Sequence, residues 1–186
     1  MVIELNYIKN EGDVQRFAEN YYEYSPSSKK SQKRFLLSLI IVSLIVAYPL
    51  HKLLGEGPLF YFLLLFILLV VCLIPGLKMH KKDTIKHINK TFTSKYTGIL
   101  GEHKAILGNQ DIHLTYLPNN FKQRKNMTSK WEEMDFYNRD KDHFFIYSYS
   151  YNRLTYHLIA GSQSEEVDNF LTAKGLVKKS KKLRVV

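Results

Sequence analysis

Residues 35–77 read FLLSLIIVSLIVAYPLHKLLGEGPLFYFLLLFILLVVCLIPGL. The first apolar run, 35–50, carries no charge, and neither does the second, 58–77. A helix needs about 20 apolar residues to cross a hydrocarbon core. The second run meets that length unaided. The first meets it only if Leu53 and Leu54 are counted, with His51 and Lys52 turned out towards the headgroups. Backbone polar groups in lipid must be satisfied within their own segment, so both runs are expected to be helices, over 35–54 and 58–77. The link, near 51–57, allows only a tight re-entry; Gly55 and Gly57 suit a turn and Pro58 the first turn of the second helix. The alternative is a pair of buried core helices, but the rest of the chain offers no all-helical domain to bury them.

Lysines set the expected orientation. Lys29, Lys30, Lys33 and Arg34 precede the first run, Lys78, Lys81 and Lys82 follow the second, and in the link Lys52 is offset by Glu56. Cationic flanks stay on the cytoplasmic side, so both termini are expected there, with the link outside. Tyr48 and Tyr61 fall where an outer aromatic belt would lie. A polar stretch of more than thirty residues precedes the first run, which does not fit a cleaved leader. The formal charge is +10 over 186 residues. The positive excess sits beside the apolar runs and in residues 174–186, whereas 105–173 is slightly acidic. That distribution suits anionic lipid and argues against nucleic acid, which calls for a basic folded face. The single cysteine, Cys72, excludes an intrachain disulfide framework.

Before the hairpin, 1–34 is expected to form a short strand and a helix. Ile3, Leu5 and Tyr7 alternate over 1–8; Val14, Phe17, Ala18, Tyr21 and Tyr22 recur at helical spacing over 13–24; and Ser25-Pro26-Ser27-Ser28 ends the helix. A lone strand needs a partner, so it is expected to join the sheet formed later. After the hairpin, 78–101 reads as a separate basic connector helix. Its stripe of Ile85, Ile88, Phe92, Tyr96 and Ile99 is suited either to a lipid surface or to packing on the β-domain, with Lys86 and Lys90 on its basic side.

Residues 102–175 read as an antiparallel meander of five or six short strands, closed by a helix. The strands are expected at 103–107, 112–117, 121–127 (an edge), 131–137, 144–151 and 154–159, with a charged turn at 138–142. Ser162-Gln163-Ser164-Glu165 resembles a capping box, opening a helix that turns Val167, Phe170 and Leu171 inward and stops at Gly175. Residues 176–186 form a basic tail.

No phosphate-binding glycine loop, HExxH or GxSxG is present. Asn138, Asp140 and Asp142 have the opening spacing of a calcium loop, but His143 and Tyr149 stand where glycine and glutamate are required. His80 and His87 are seven residues apart, too far to face one another on successive turns. His113 and His157 fall on strands that could be neighbours, without a carboxylate or cysteine to complete a metal site. No metal or cofactor is therefore expected. Glu132, Glu133 and Asp135 form an acidic patch that is either a docking site or an exposed strand face. Tyr147, Tyr149 and Tyr151 form a row that is either a binding surface or sheet packing.

The order strand, helix, two-helix hairpin, β-domain, helix resembles the YcxB-like bacterial membrane proteins. Ile3-Glu4-Leu5-Asn6-Tyr7 with Asp13 and Phe17 is similar to the family's opening strand and helix. Trp131-Glu132-Glu133-Met134 and Phe144-Phe145-Ile146-Tyr147 are similar to two of its strands, and 165–171 to its closing helix. The resemblance implies a pleckstrin-homology-like soluble part and assigns no biochemical role. The expectation is an α+β membrane protein: a transmembrane hairpin with a small antiparallel β-domain capped by a helix. It would be non-enzymatic and present that domain to a protein, a lipid headgroup or a second copy. Lys29, Lys30, Lys33, Arg34, Lys78, Lys81, Lys82, Lys86 and Lys90 would meet the membrane surface. Two alternatives stay open: an immunity protein against a membrane-acting toxin, and an enzyme acting on lipid, for which no nucleophile or acid/base pair can be named.

Overall fold

A computed structural model describes residues 2–54, 57–94, 99–119, 123–150 and 153–179. The chain runs β1 (Ile3–Lys9), α1 (Glu11–Tyr24), α2 (Pro26–Leu54), α3 (Pro58–Phe92), β2 (Gly101–Leu107), β3 (Asp111–Pro118), β4 (Lys125–Lys130), β5 (Phe136–Asp140), β6 (His143–Ser148), β7 (Arg153–Ile159), α4 (Ser164–Ala173) and β8 (Val177–Lys178). It is an α+β chain.

α2 and α3 pack as an antiparallel pair of 29 and 35 residues, about 44 and 52 Å long at 1.5 Å per residue. Both are long and apolar enough to cross a membrane, and in the most apolar stretch of each only 11% and 0% of residues are buried within the chain. That exposure is the reverse of what a soluble core helix shows. Ser43 and Ala47 are the buried positions of the apolar part of α2. Gly76 of α3 lies so close to Leu39 and Phe35 that an added Cβ would stand 3.2 Å from Leu39.

Two boundaries differ from expectation. α1 ends at Tyr24 with Ser25 as its cap, as expected, but the next helix does not wait for residue 35: Ser25 alone is extended, as a residue before proline must be, and Pro26 opens α2 at once. Ser28 Oγ and Gln32 Nε2 both donate to the Tyr22 carbonyl at 2.8 Å, which secures the corner. Nor is there a separate connector helix. α3 passes through Pro75 and Gly76 without a break and ends at Phe92, where the Thr91 and Thr93 hydroxyls donate back to the carbonyls of His87 and Asn89. Tyr96 and Gly98 lie outside the described residues.

The β-domain is two four-stranded sheets, β1-β2-β3-β4 and β7-β6-β5-β8, rather than one continuous meander. β1 pairs antiparallel with β2, Leu5 opposite Ala105, as the search for a partner strand required. β4 is the polar edge, starting four residues and ending three residues later than expected, and Phe121 lies outside the described residues. The strand expected at 131–137 is broken: Trp131–Glu133 forms a 3-10 turn and β5 begins at Phe136. Trp131 causes the break. Its indole turns inward, donates to the Gly108 carbonyl at 2.8 Å and packs edge-on against Phe170. β5 takes up Asn138 and Asp140 in place of the expected charged turn, which contracts to Lys141 (φ 58) and Asp142.

Between the sheets lie Ile3, Leu5, Leu107, Ile112, Phe144, Ile146, Leu158, Val167 and Leu171. The far face of the second sheet packs Phe136, Phe145 and Tyr147 against Phe17 and Ala18 of α1 and Ile88 of α3. β6 is therefore buried on both faces, which explains its unbroken apolar run. α4 opens without a side-chain cap, after a 3-10 turn at Gly161–Gln163, so the expected capping box does not form. It ends as expected at Gly175, whose φ of 78 suits glycine. There the Gly175 N–H reaches the Thr172 carbonyl and the Leu176 N–H the Leu171 carbonyl, closing the helix. The basic tail is not free from its start. Val177 and Lys178 pair parallel with Phe136 and Tyr137 of β5, and Lys178 donates to Asp168.

Candidate functional site

The antiparallel packing of α2 and α3 brings the expected cations together. Lys29, Lys30, Lys33 and Arg34 lie beside Lys78, Lys81 and Lys82 at one end of the apolar pair, and all are exposed. Lys86 and Lys90 continue along α3 on its exposed side, about 6 and 12 Å beyond Lys82. The collar closes on His80. Its ring packs against Phe35 (4.6 Å) and Tyr22 (5.9 Å), and its two nitrogens lie 3.4 Å from the Tyr22 hydroxyl and the Ser31 hydroxyl. Lys81 lies over the Tyr22 ring and 3.6 Å from Glu23. α1, α2 and α3 thus meet at the level of the collar.

The stripe of α3 faces protein. Ile85, Ile88 and Phe92 pack into the cluster around Phe17, with the Phe17 and Phe92 rings edge-on at 4.9 Å. The stripe packs first on α1, and through α1 joins the cluster under the second sheet. α1 sits as a wedge between α3 and the second sheet.

The residues of the candidate partner surface fall in different environments. Tyr147 is fully buried: β6 ends at Ser148, and the Tyr147 hydroxyl donates to the Asn20 carbonyl at 3.1 Å and to its side-chain oxygen. Burial holds that phenol far above its ordinary range. Tyr149 is 52% exposed on the following turn, and Tyr151 lies outside the described residues. Glu132 and Asp135 are exposed and Glu133 half-buried on the Trp131 turn; Asp135 accepts the Tyr149 backbone N–H at 2.6 Å. His113 and His157 are not neighbours. His113 is on β3, in the first sheet, near Asp111 and Thr128, and His157 is on β7, in the second sheet. Asn138 is no loop ligand, because its side chain accepts from Asn20 in the interior. Among the described residues no group of three or more His, Cys, Asp or Glu side chains is placed to hold a metal ion.

A buried ionisable cluster is the feature sequence reasoning missed. Lys9, the last residue of β1, is 4% exposed, and burial lowers its pKa to about 7; Asp13 is the charge that opposes this. The His103 ring is stacked between Tyr7 and Tyr116, at 5.3 and 5.2 Å. Burial, with Lys9 nearby, lowers its pKa to about 3. His143 Nδ1 and His157 Nε2 are 2.9 Å apart, and His143 Nε2 lies 3.6 Å from carboxylate oxygens of Asp13 and Asp142. The His157 Nδ1 is buried with no hydrogen-bond partner among the described residues. A signal existed: alternation over Ile3, Leu5 and Tyr7 places Lys9 on the same inward face.

No family model, curated protein or solved structure matches this chain. Its reading rests on its own geometry.

Proposed function

We propose that the chain is a non-enzymatic protein of the bacterial plasma membrane, spanning it twice with both termini in the cytoplasm. Its β-domain is of YcxB-like, pleckstrin-homology-like type and is presented at the inner face to a protein or lipid headgroup. The observation that carries the reading is the pair α2 and α3: long, apolar, almost unburied by the rest of the chain, and ringed at one end by exposed cations. A bilayer would cover what the chain leaves bare, and the collar would lie against its anionic surface. Two packed sheets with α4 across their core support the fold assignment.

The test is topology. Single cysteines placed in the link at Gly57 and in the domain at Thr115, in a Cys72→Ser background, are labelled in intact cells with a membrane-impermeant reagent. Labelling at Gly57 alone is expected. Labelling at Thr115, or recovery of the chain in the soluble fraction without detergent, would refute the reading. Replacing Lys29, Lys30, Lys33 and Arg34 with glutamine should yield a mixed orientation.

A further inference from the structure

We propose that the His143–His157 pair is a proton-responsive latch that holds α1 against the second sheet while the rings are neutral and releases it when both take up protons.

The geometry sets the condition. A hydrogen bond between two imidazole nitrogens at 2.9 Å needs one donor and one acceptor. Two imidazolium rings would bring N–H against N–H, and the bond would be lost. The surroundings are asymmetric. His143, on β6, faces Asp13 and Arg16 of α1, Asp140 of β5 and Asp142 of the β5–β6 turn; three of these four favour its charge. His157, on β7, faces Lys9 of β1, His103 of β2, Arg16 of α1 and His143, none of which favours its charge. Its ring is sealed by Phe145, stacked at 4.6 Å, and by Phe17 of α1 at 5.9 Å. Its buried Nδ1 has no partner among the described residues to take a second proton's N–H. A proton on His157 therefore has no accommodation until α1 moves away and admits water. Asp13, the residue that ties α1 to His143, also closes the capping box of α1 with Asn10, so the latch and the helix start share one side chain.

An exposed histidine titrates near 6.5. Lowering the pH from 7.5 to 5.5 should therefore favour the open form about 10-fold if His157 alone gains its proton on opening, and about 100-fold if both rings do. The latch belongs to α1 and the β-domain. Only its consequence, that the domain separates from the base of the hairpin, rests on the membrane reading above.

The experiment is hydrogen exchange of the full chain in detergent micelles at pH 7.5 and 5.5, with rates corrected for intrinsic exchange. Amides 14–24 of α1 are expected to lose at least 10-fold protection at the lower pH, while those of β2 and β3 hold theirs. His157→Gln, which keeps a side-chain N–H for His143, should abolish the difference. Equal α1 protection of the wild type at both pH values would overturn the proposal, as would an equal loss in His157→Gln. Should that variant fail to fold, imidazole NMR of the wild type decides. Rings that titrate together with the loss of α1 protection support the latch, and both rings titrating near 6.5 while α1 stays protected refutes it. The result is the same whichever compartment the domain occupies, so failure of the latch and failure of the membrane topology are separate outcomes.

Discussion

Replacing Lys9 with methionine should stabilise the protein, and by more at low pH than at high. Methionine keeps an unbranched stem of similar length and removes the ammonium. A lysine with its pKa at about 7 in the folded chain and 10.5 when unfolded binds fewer protons folded than unfolded across that interval. Wild-type stability therefore rises with pH from about 7 to about 10.5, by up to about 1.4 kcal/mol per pH unit. Below pH 7 the buried ammonium opposes folding by up to about 5 kcal/mol; near pH 9 this falls to about 2 kcal/mol, and above pH 11 to almost nothing. These are upper bounds, since the buried site can relax around its charge. Asp13 would lose its attraction to Lys9 but would still accept the Asn10 backbone N–H at 2.9 Å. The chain's single tryptophan, Trp131, is buried in the β-domain and reports its unfolding by fluorescence. Urea titrations of the detergent-solubilised pair at pH 6, 8 and 9.5 should show the advantage of Lys9→Met shrinking with each step. A variant less stable than wild type at pH 6, or an advantage independent of pH, would refute the reasoning.

Asn10→Ala removes the side chain that caps α1 and should lower stability by about 1 kcal/mol, read as a shift of the urea midpoint at constant slope. Tyr147→Phe strips the hydroxyl from a fully buried phenol and leaves Asn20 short of a donor, for an expected loss of about 1–3 kcal/mol in the same assay. Gly101→Ala should be worse than either. Its φ is 132, and the new Cβ would lie 2.3 Å from the Leu117 carbonyl oxygen, so loss of the native Trp131 emission at 37 °C is expected.

The membrane-length helices, the strand character of β1 and the inward face of α4 could be read from the sequence because each rests on local periodicity. What could not be read depends on contacts between distant segments. Trp131 ends a strand pattern only because Gly108 and Phe170 await its indole across the domain. Val177 and Lys178 look like the start of a loose basic tail until the open edge of β5 is known to lie beside them. The second run and the basic stretch after it read as two helices, yet α3 passes without a break through Pro75 and Gly76, where Leu39 and Phe35 of α2 lie close. The site divided in the same way. The collar was visible as clusters of lysine on either side of the apolar runs. Lys9, His143 and His157 are scattered over 149 positions of chain, and only the packing of β1, β6 and β7 beneath α1 joins them.

α3 runs unbroken from residue 58 to 92, so among the described residues no hinge separates its apolar part from the stripe that docks on the Phe17 cluster. Two stiff struts carry the β-domain, one through the Ser25–Pro26 elbow and one through the stripe of α3. Its heading around the hairpin axis is thus set by residue count: one alanine inserted between Leu77 and Ile85 would raise the attachment by about 1.5 Å and turn it by about 100°. Whatever face the domain offers is aimed, and a sideways roll of the pair in the plane of its surroundings would re-aim it like a lamp on a rigid arm.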